Sequence, residues 1–222
     1  MMERRKRRSE PSPAPAQDEE AAGEETSTSP AASAAPAVEE VAPAPAAEEL
    51  PVPAAEPASR GAEHLARGNF IAAIDYFNSV LSRDPDDVEA LLGLGSAYLG
   101  QGQYDPAERE LRKSLRLAPN RVDVHYQLGL TLFRRGNYAA AAGQLRRVIE
   151  LDRDHALAHV FLGESLNHTG EGEAAIDALE KAIELQPDNG KAFYALGIAY
   201  DRKGQPDRAA EMYRRSREVG GR

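Results

Sequence analysis

An all-α solenoid of about five helix-turn-helix units, each 34 residues long and preceded by a disordered tail, is predicted by three features of the 222-residue sequence. Glycine recurs every 34 residues at Gly61, Gly95, Gly129, Gly163 and Gly197, and in a second register at Gly68, Gly102, Gly136, Gly170 and Gly204. Alanine keeps the same interval at Ala73, Ala107, Ala141, Ala175 and Ala209. Proline marks Pro85, Pro119 and Pro187, with Arg153 in the remaining slot. Repetition at this period means one supersecondary unit stacked on copies of itself, because a single unit cannot bury its own apolar face.

The tail is assigned to residues 1–56. From Ser9 to Ser59 there are 11 acidic residues and no basic one, and the only apolar side chains larger than alanine are Val38, Val41, Leu50 and Val52. Such a stretch cannot bury enough apolar surface to offset the entropy of ordering it, and its Ala-Pro steps favour extended conformers. Residues 1–59 carry a net charge of −7 and residues 60–222 only −2, so the repeat region gives no electrostatic reason to expect nucleic acid. The basic run Arg4 to Arg8 precedes Ser-Glu-Pro and no apolar segment, so it does not read as a secretory signal; five charges give only weak, salt-sensitive attachment to lipid or nucleic acid. No apolar run approaches the roughly 20 residues of a membrane span, and a cytoplasmic location is the expectation.

The solenoid is expected over 57–221, in units of about 54–87, 88–121, 122–155, 156–189 and 190–222. Asp86, Asn120, Asp154 and Asp188 share the register where each first helix should begin, as N-caps whose side-chain oxygens accept a free backbone N–H. The second glycine register should close each first helix. Asp105-Pro106 reads as the opening of a second helix, with Glu108 one turn on. A glycine inside a helix costs about 1 kcal/mol against alanine, so the first register needs a packing reason: each glycine is expected to face the alanine of the second helix, with Leu111 or Tyr213 filling around them. The first unit is degenerate, with Pro57 and Arg60 where bulky apolar residues belong. At the other end Arg217 replaces the apolar series Leu81, Leu115, Ile149 and Ile183, which predicts a solvating last helix.

With its 34-residue period, paired small residues and Leu94, Leu128, Leu162 and Leu196 before the first-register glycines, the chain resembles the tetratricopeptide-repeat family over about three quarters of its length. The resemblance implies a right-handed superhelix whose concave groove, lined by first helices, binds a peptide or a partner's helix. It places at the groove Leu92, Ser96, Leu99, Tyr126, Leu130, Phe133, Val160, Phe161, Glu164, Asn167, Tyr194, Ile198 and Asp201. Neighbouring inward positions hold Glu89, Asp123, Arg134, Leu157, His168, Lys191 and Arg202. Family members that clamp acidic chaperone tails need Lys and Asn on one first helix, Asn on the next, and Lys with Arg on the third. Here those slots hold Leu92, Ser96, Gln127, Leu157 and Phe161 in one frame, and Tyr126, Leu130, Phe161, Lys191 and Ala195 in the next. Neither frame fits, so an amphipathic helix or an extended apolar peptide is the expected guest.

Enzymatic signatures are not found. Gly190-Lys191 lacks the rest of a phosphate loop, and there is no nucleophile elbow or zinc-protease motif. With no cysteine the chain has no disulfide, thiolate metal site or lipidated cysteine. His155 and His159 are four apart, a spacing that can chelate a metal, yet no third ligand stands out and His159 falls in the packing register of Leu91 and Phe193. A structural histidine is the reading, and no metal or cofactor is expected. Arg109, Arg112, Lys113, Arg116, Arg146 and Arg147 alternate with Glu108 and Glu110 as a solvated outer face. The function expected is a non-catalytic protein-interaction scaffold. The alternatives are a scaffold that self-assembles through its terminal helices, or a regulatory subunit of an enzyme or of a secretion or pilus machine. The richness in Ala, Arg, Gly and Pro hints at a GC-rich bacterium.

Overall fold

The computed structural model describes residues 57–220, with the side chains of 60–220. The tail and its basic run lie outside the described residues. Ten helices run in hairpins: α1 (Pro57–Ala66), α2 (Phe70–Leu81), α3 (Val88–Gly100), α4 (Tyr104–Leu117), α5 (Val122–Arg134), α6 (Tyr138–Leu151), α7 (Ala156–Thr169), α8 (Gly172–Leu185), α9 (Gly190–Arg202) and α10 (Pro206–Gly220). No strand occurs among the described residues. The odd-numbered helices are the first helices of the units and the even-numbered ones the second.

The two glycine registers act by different physics. Gly68, Gly102, Gly136, Gly170 and Gly204 all have positive φ, between 72° and 87°. They reverse the chain after each first helix, in a conformation that costs an L-residue with a Cβ about 1–2 kcal/mol. The N–H three residues past the helix reaches back to an otherwise orphaned carbonyl, as Asn137 does to Leu132 (2.9 Å) and Gln205 to Tyr200 (2.9 Å). The first register has ordinary helical backbone and no room. A Cβ on Gly163 would stand 2.4 Å from Leu179 Cγ, one on Gly95 2.6 Å from Leu111 Cγ, and one on Gly197 2.5 Å from Tyr213 Cε1. The residue that fills each notch therefore lies four positions beyond the expected alanine. The alanines Ala73, Ala107, Ala141, Ala175 and Ala209 are buried as well, but the notch belongs to Phe77, Leu111, Leu145, Leu179 and Tyr213.

The helix starts fall one residue later than expected. The N-caps of α3, α5, α7 and α9 are Asp87, Arg121, His155 and Asn189. Asp87 and Asn189 accept the N–H of Ala90 and Ala192 (2.9 and 3.1 Å), and His155 does so for Ala158 through Nδ1 (3.1 Å). The preceding polar register ties the turn to the second helix instead: Asp86 pairs with Lys113 at 3.2 Å, and Asn120 accepts from Arg147 at 2.9 Å. Helix α4 starts at Tyr104, two residues before Pro106, which stays in the first turn where its missing N–H is not needed. Glu108 is also corrected: it is buried, held by Arg112 at 2.7 Å and by Arg135, which reaches Asp105 as well at 2.8 Å. Burial without those guanidinium partners would be strongly unfavourable for a carboxylate.

Each hairpin packs on the next, and one apolar core runs from Leu111 to Ala209 through α4–α10. A smaller cluster of Ala73, Phe77, Ala90, Leu94 and Ala97 holds the first units together. Two buried hydroxyls are satisfied within their own helix, Thr131 and Ser165 donating to the carbonyls of Gln127 and Phe161, both at 2.7 Å, while the buried Ser114 of α4 donates across to the Val88 carbonyl of α3 at 3.3 Å.

Candidate functional site

Each first helix packs on the next first helix, α1 on α3, α3 on α5, α5 on α7 and α7 on α9, whereas no second helix packs on another second helix among the described residues. Spacing is thus tighter on the first-helix side, which makes that side the concave one. Its floor is a tier of rings. Tyr126 stacks beside His155 at 4.7 Å and near Phe161 at 6.4 Å, and Phe161 meets Phe133 edge-on at 5.4 Å. Phe133 also meets Tyr138, which stacks flat on His168 at 3.8 Å. Lys191 places its Nζ 4.0 Å over the Phe161 ring and 3.0 Å from Glu164, so one ammonium caps the aromatic floor and neutralises a largely sheltered carboxylate.

Leu92, Ser96, Leu99, Tyr126, Leu130, Phe133, Glu164 and Ile198 are partly exposed along this face, and Tyr194 (56 % exposed) and Asp201 are open to solvent. Phe161 is only 8 % exposed but belongs to the ring tier. Two expected groove residues are corrected. Val160 is fully buried with Ala182 and Ala192 between α7, α8 and α9, so it offers no surface to a guest. Asn167 is also buried, and its Nδ2 donates to the carbonyl of Ala195 at 2.9 Å, a strut between α7 and α9.

The groove is electrostatically balanced. Arg121 bridges Glu89 and Asp123, which raises its own affinity for the proton and holds the Asp123 carboxyl below the usual carboxylate range. Burial raises the Tyr126 phenol. Tyr213 is pushed up to about 12 by burial first and then by its hydrogen bond to Asp201 (2.7 Å), which fixes that carboxylate at the far end of the groove. Between α1, α3 and α5 the floor dips into a cavity of about 240 Å³ lined by Leu65, Phe77, Leu92 and Gly93, with Glu89 and Asp123 on its wall. Phe77 and Gly93 escape a reading of inward positions. The available signal is that Gly93 shares the register of Phe161; at Gly93 the place of that side chain is taken by the Phe77 ring, whose Cζ lies 2.2 Å from where a Cβ would stand.

His125, His155 and His159 are each tied into the fold by a ring nitrogen. His125 and His159, one period apart, reach the carbonyls of Pro119 (2.9 Å) and Arg153 (3.0 Å) through Nε2. With its Nδ1 engaged as an N-cap, His155 is committed too. No cluster of three or more potential metal ligands occurs among the described residues, and no described helix is long and apolar enough to cross a membrane.

An α-solenoid of stacked helical hairpins with an aromatic concave face is a protein-interaction scaffold. Models of the tetratricopeptide repeat match residues 64–131, 126–190 and 178–211. A crystal structure of MamA shares 33 % identity over 72 % of this chain and 94 % of that one, with a TM-score of 0.67; MamA AMB-1 shares 29 % over 74 % and 98 %, with a TM-score of 0.69. The fold is also that of YrrB, described as a tetratricopeptide-repeat protein with an unusual peptide-binding site, at 23 % identity over 73 % and 84 % and a TM-score of 0.65. No curated protein matches the chain. The chain belongs to the tetratricopeptide-repeat family.

Proposed function

We propose that the concave groove holds a peptide or helix of a partner protein, with apolar side chains of the guest seated on the tier of Tyr126, Phe161 and Phe133. The supporting observation is that tier itself: three rings on adjacent first helices, with Lys191 over the central one and Tyr194 open beyond it. Aromatic side chains that are half-sheltered and rigidly backed concentrate binding energy at interfaces. The paired charges of Arg121, Glu89, Asp123, Lys191 and Glu164 suit a guest that is mainly apolar, and the inward cations without an ion pair among the described residues, Arg134 and Arg202, stand on separate helices. The groove residues act in binding and none as an acid, base or nucleophile. A cytoplasmic location belongs to the same reading and is checked by cell fractionation.

The full chain, crosslinked in cells and recovered with its neighbours for mass spectrometry, should yield a recurrent partner. Replacing Tyr126 and Tyr194 together by alanine should weaken that complex by tenfold or more, as loss of two aromatic anchors does. Undiminished binding would remove the groove from the function. End-to-end self-assembly through the terminal helices is the second reading; the outward face of α10 exposes Ala210, Arg214 and Arg217, with Arg214 paired to Glu211 and Glu218. Sedimentation of the full chain with and without residues 206–222 separates the two.

A further inference from the structure

The convex side carries a feature of a different kind. Between α6 and α8 a furrow floored by α7 encloses about 290 Å³, lined by Ile149, His159, Leu162, Leu166, Ala174 and Ala178. Comparison with the neighbouring units shows why it is open. One period earlier the position of Ala178 is Gln144, whose Oε1 lies 2.9 Å from His125 Nδ1. One period later the position of Ala174 is Arg208, which lies over the Tyr200 ring at 5.6 Å. Unit four has alanine at both places.

The missing glutamine leaves an unused polar atom. His159 is 8 % exposed, and its Nε2 faces the carbonyl oxygen of Arg153 at 3.0 Å, so Nε2 carries the proton. In the neutral ring Nδ1 is then an acceptor. It faces the space that Gln144 fills in the preceding unit, and it has no hydrogen bond among the described residues. Arg146, Lys181 and the exposed Asp177 stand at the rim, the two cations paired with Glu171 (3.2 Å) and Glu184 (2.9 Å).

We propose that this furrow is a second binding site, separate from the concave groove, that takes a tryptophan side chain of a partner protein. An indole matches each feature. Its apolar body fits the leucine, isoleucine and alanine walls, and its face suits the cations at the rim. Its N–H is a donor only, so a single bond to His159 Nδ1 leaves no polar atom unsatisfied, whereas a phenol would bury unused lone pairs. The chain contains no tryptophan, so the occupant comes from a different protein and not from a second copy.

The test uses the full-length protein and N-acetyl-L-tryptophanamide, followed by NMR at the His159 ring nitrogens and the Leu162 and Leu166 methyls. Saturable shifts there are expected, with N-acetyl-L-phenylalaninamide about fivefold weaker for want of the hydrogen bond. The variant Ala178→Gln, which copies the arrangement of Gln144 and His125, should abolish the shifts and keep the wild-type melting temperature. Ala174→Leu, which fills the furrow without offering a hydrogen bond, should abolish them too. Absence of saturable shifts in the wild type, equal binding by either variant, or equal or tighter binding of the phenylalanine or tyrosine amide would each overturn the assignment. Because Tyr126 and Tyr194 lie on the opposite face, failure here and failure of the groove would be read separately.

Discussion

Two sets of five glycines stand seven residues apart in every unit, and they are constrained by unlike forces. At Gly163 the backbone is ordinary helix and the space is taken; at Gly170 the space is empty and the backbone is left-handed. The first is an interface between two rods, the second a hinge between them. A sequence shows both as the same letter at the same interval, and only the surroundings separate them.

Substitutions should expose the difference. Gly163→Ala forces a Cβ against the branch point of the fully buried Leu179, and should lower stability by about 2–3 kcal/mol in urea unfolding, in the range of overpacked cores. Combining it with Leu179→Ala should show a favourable coupling of about 1–2 kcal/mol in a double-mutant cycle, because each change relieves the other. Gly129→Ala, whose Cβ would stand 3.0 Å from Leu145 Cγ, should cost about 1 kcal/mol. Gly170→Ala meets nothing in space, so its loss of about 1 kcal/mol comes from φ alone and should not respond to trimming any neighbour. Gly170→Asn should cost only a few tenths of a kcal/mol, since asparagine tolerates that conformation. If Gly170→Asn proved as damaging as Gly163→Ala, the distinction between the registers would fail.

The architecture was legible because a period of 34 residues is a global signal, summed over five units and insensitive to any single residue. Phase within the unit was harder. Asp86 and Asp87 are adjacent and equally good cappers, and in the later units the true cap position holds Arg121 and His155, which no propensity scale would choose. In α5 Asp123 helps instead, accepting the N–H of Val124 at 2.9 Å. The groove was partly legible, because inward positions recur with the repeat. Val160 and Asn167 departed from it: α7 is buried over most of its circumference, and the hydrophobic pattern of such a helix does not mark a wet side. The capping of Phe161 by Lys191 joins two units, and a repeat pattern read one unit at a time does not contain it. The same applies to Glu108, whose burial depends on Arg135 of the next hairpin.

The small apolar cluster that holds the first units, set beside the long core behind it, bears on how the protein comes apart. Since every hairpin touches only its sequence neighbours, opening is a boundary that travels along the array, and it starts where adhesion is least. Amide exchange should therefore be graded, fastest in α1 and α2 and slowest in α6–α8, so that the aromatic middle of the array stays closed while the leading hairpin breathes.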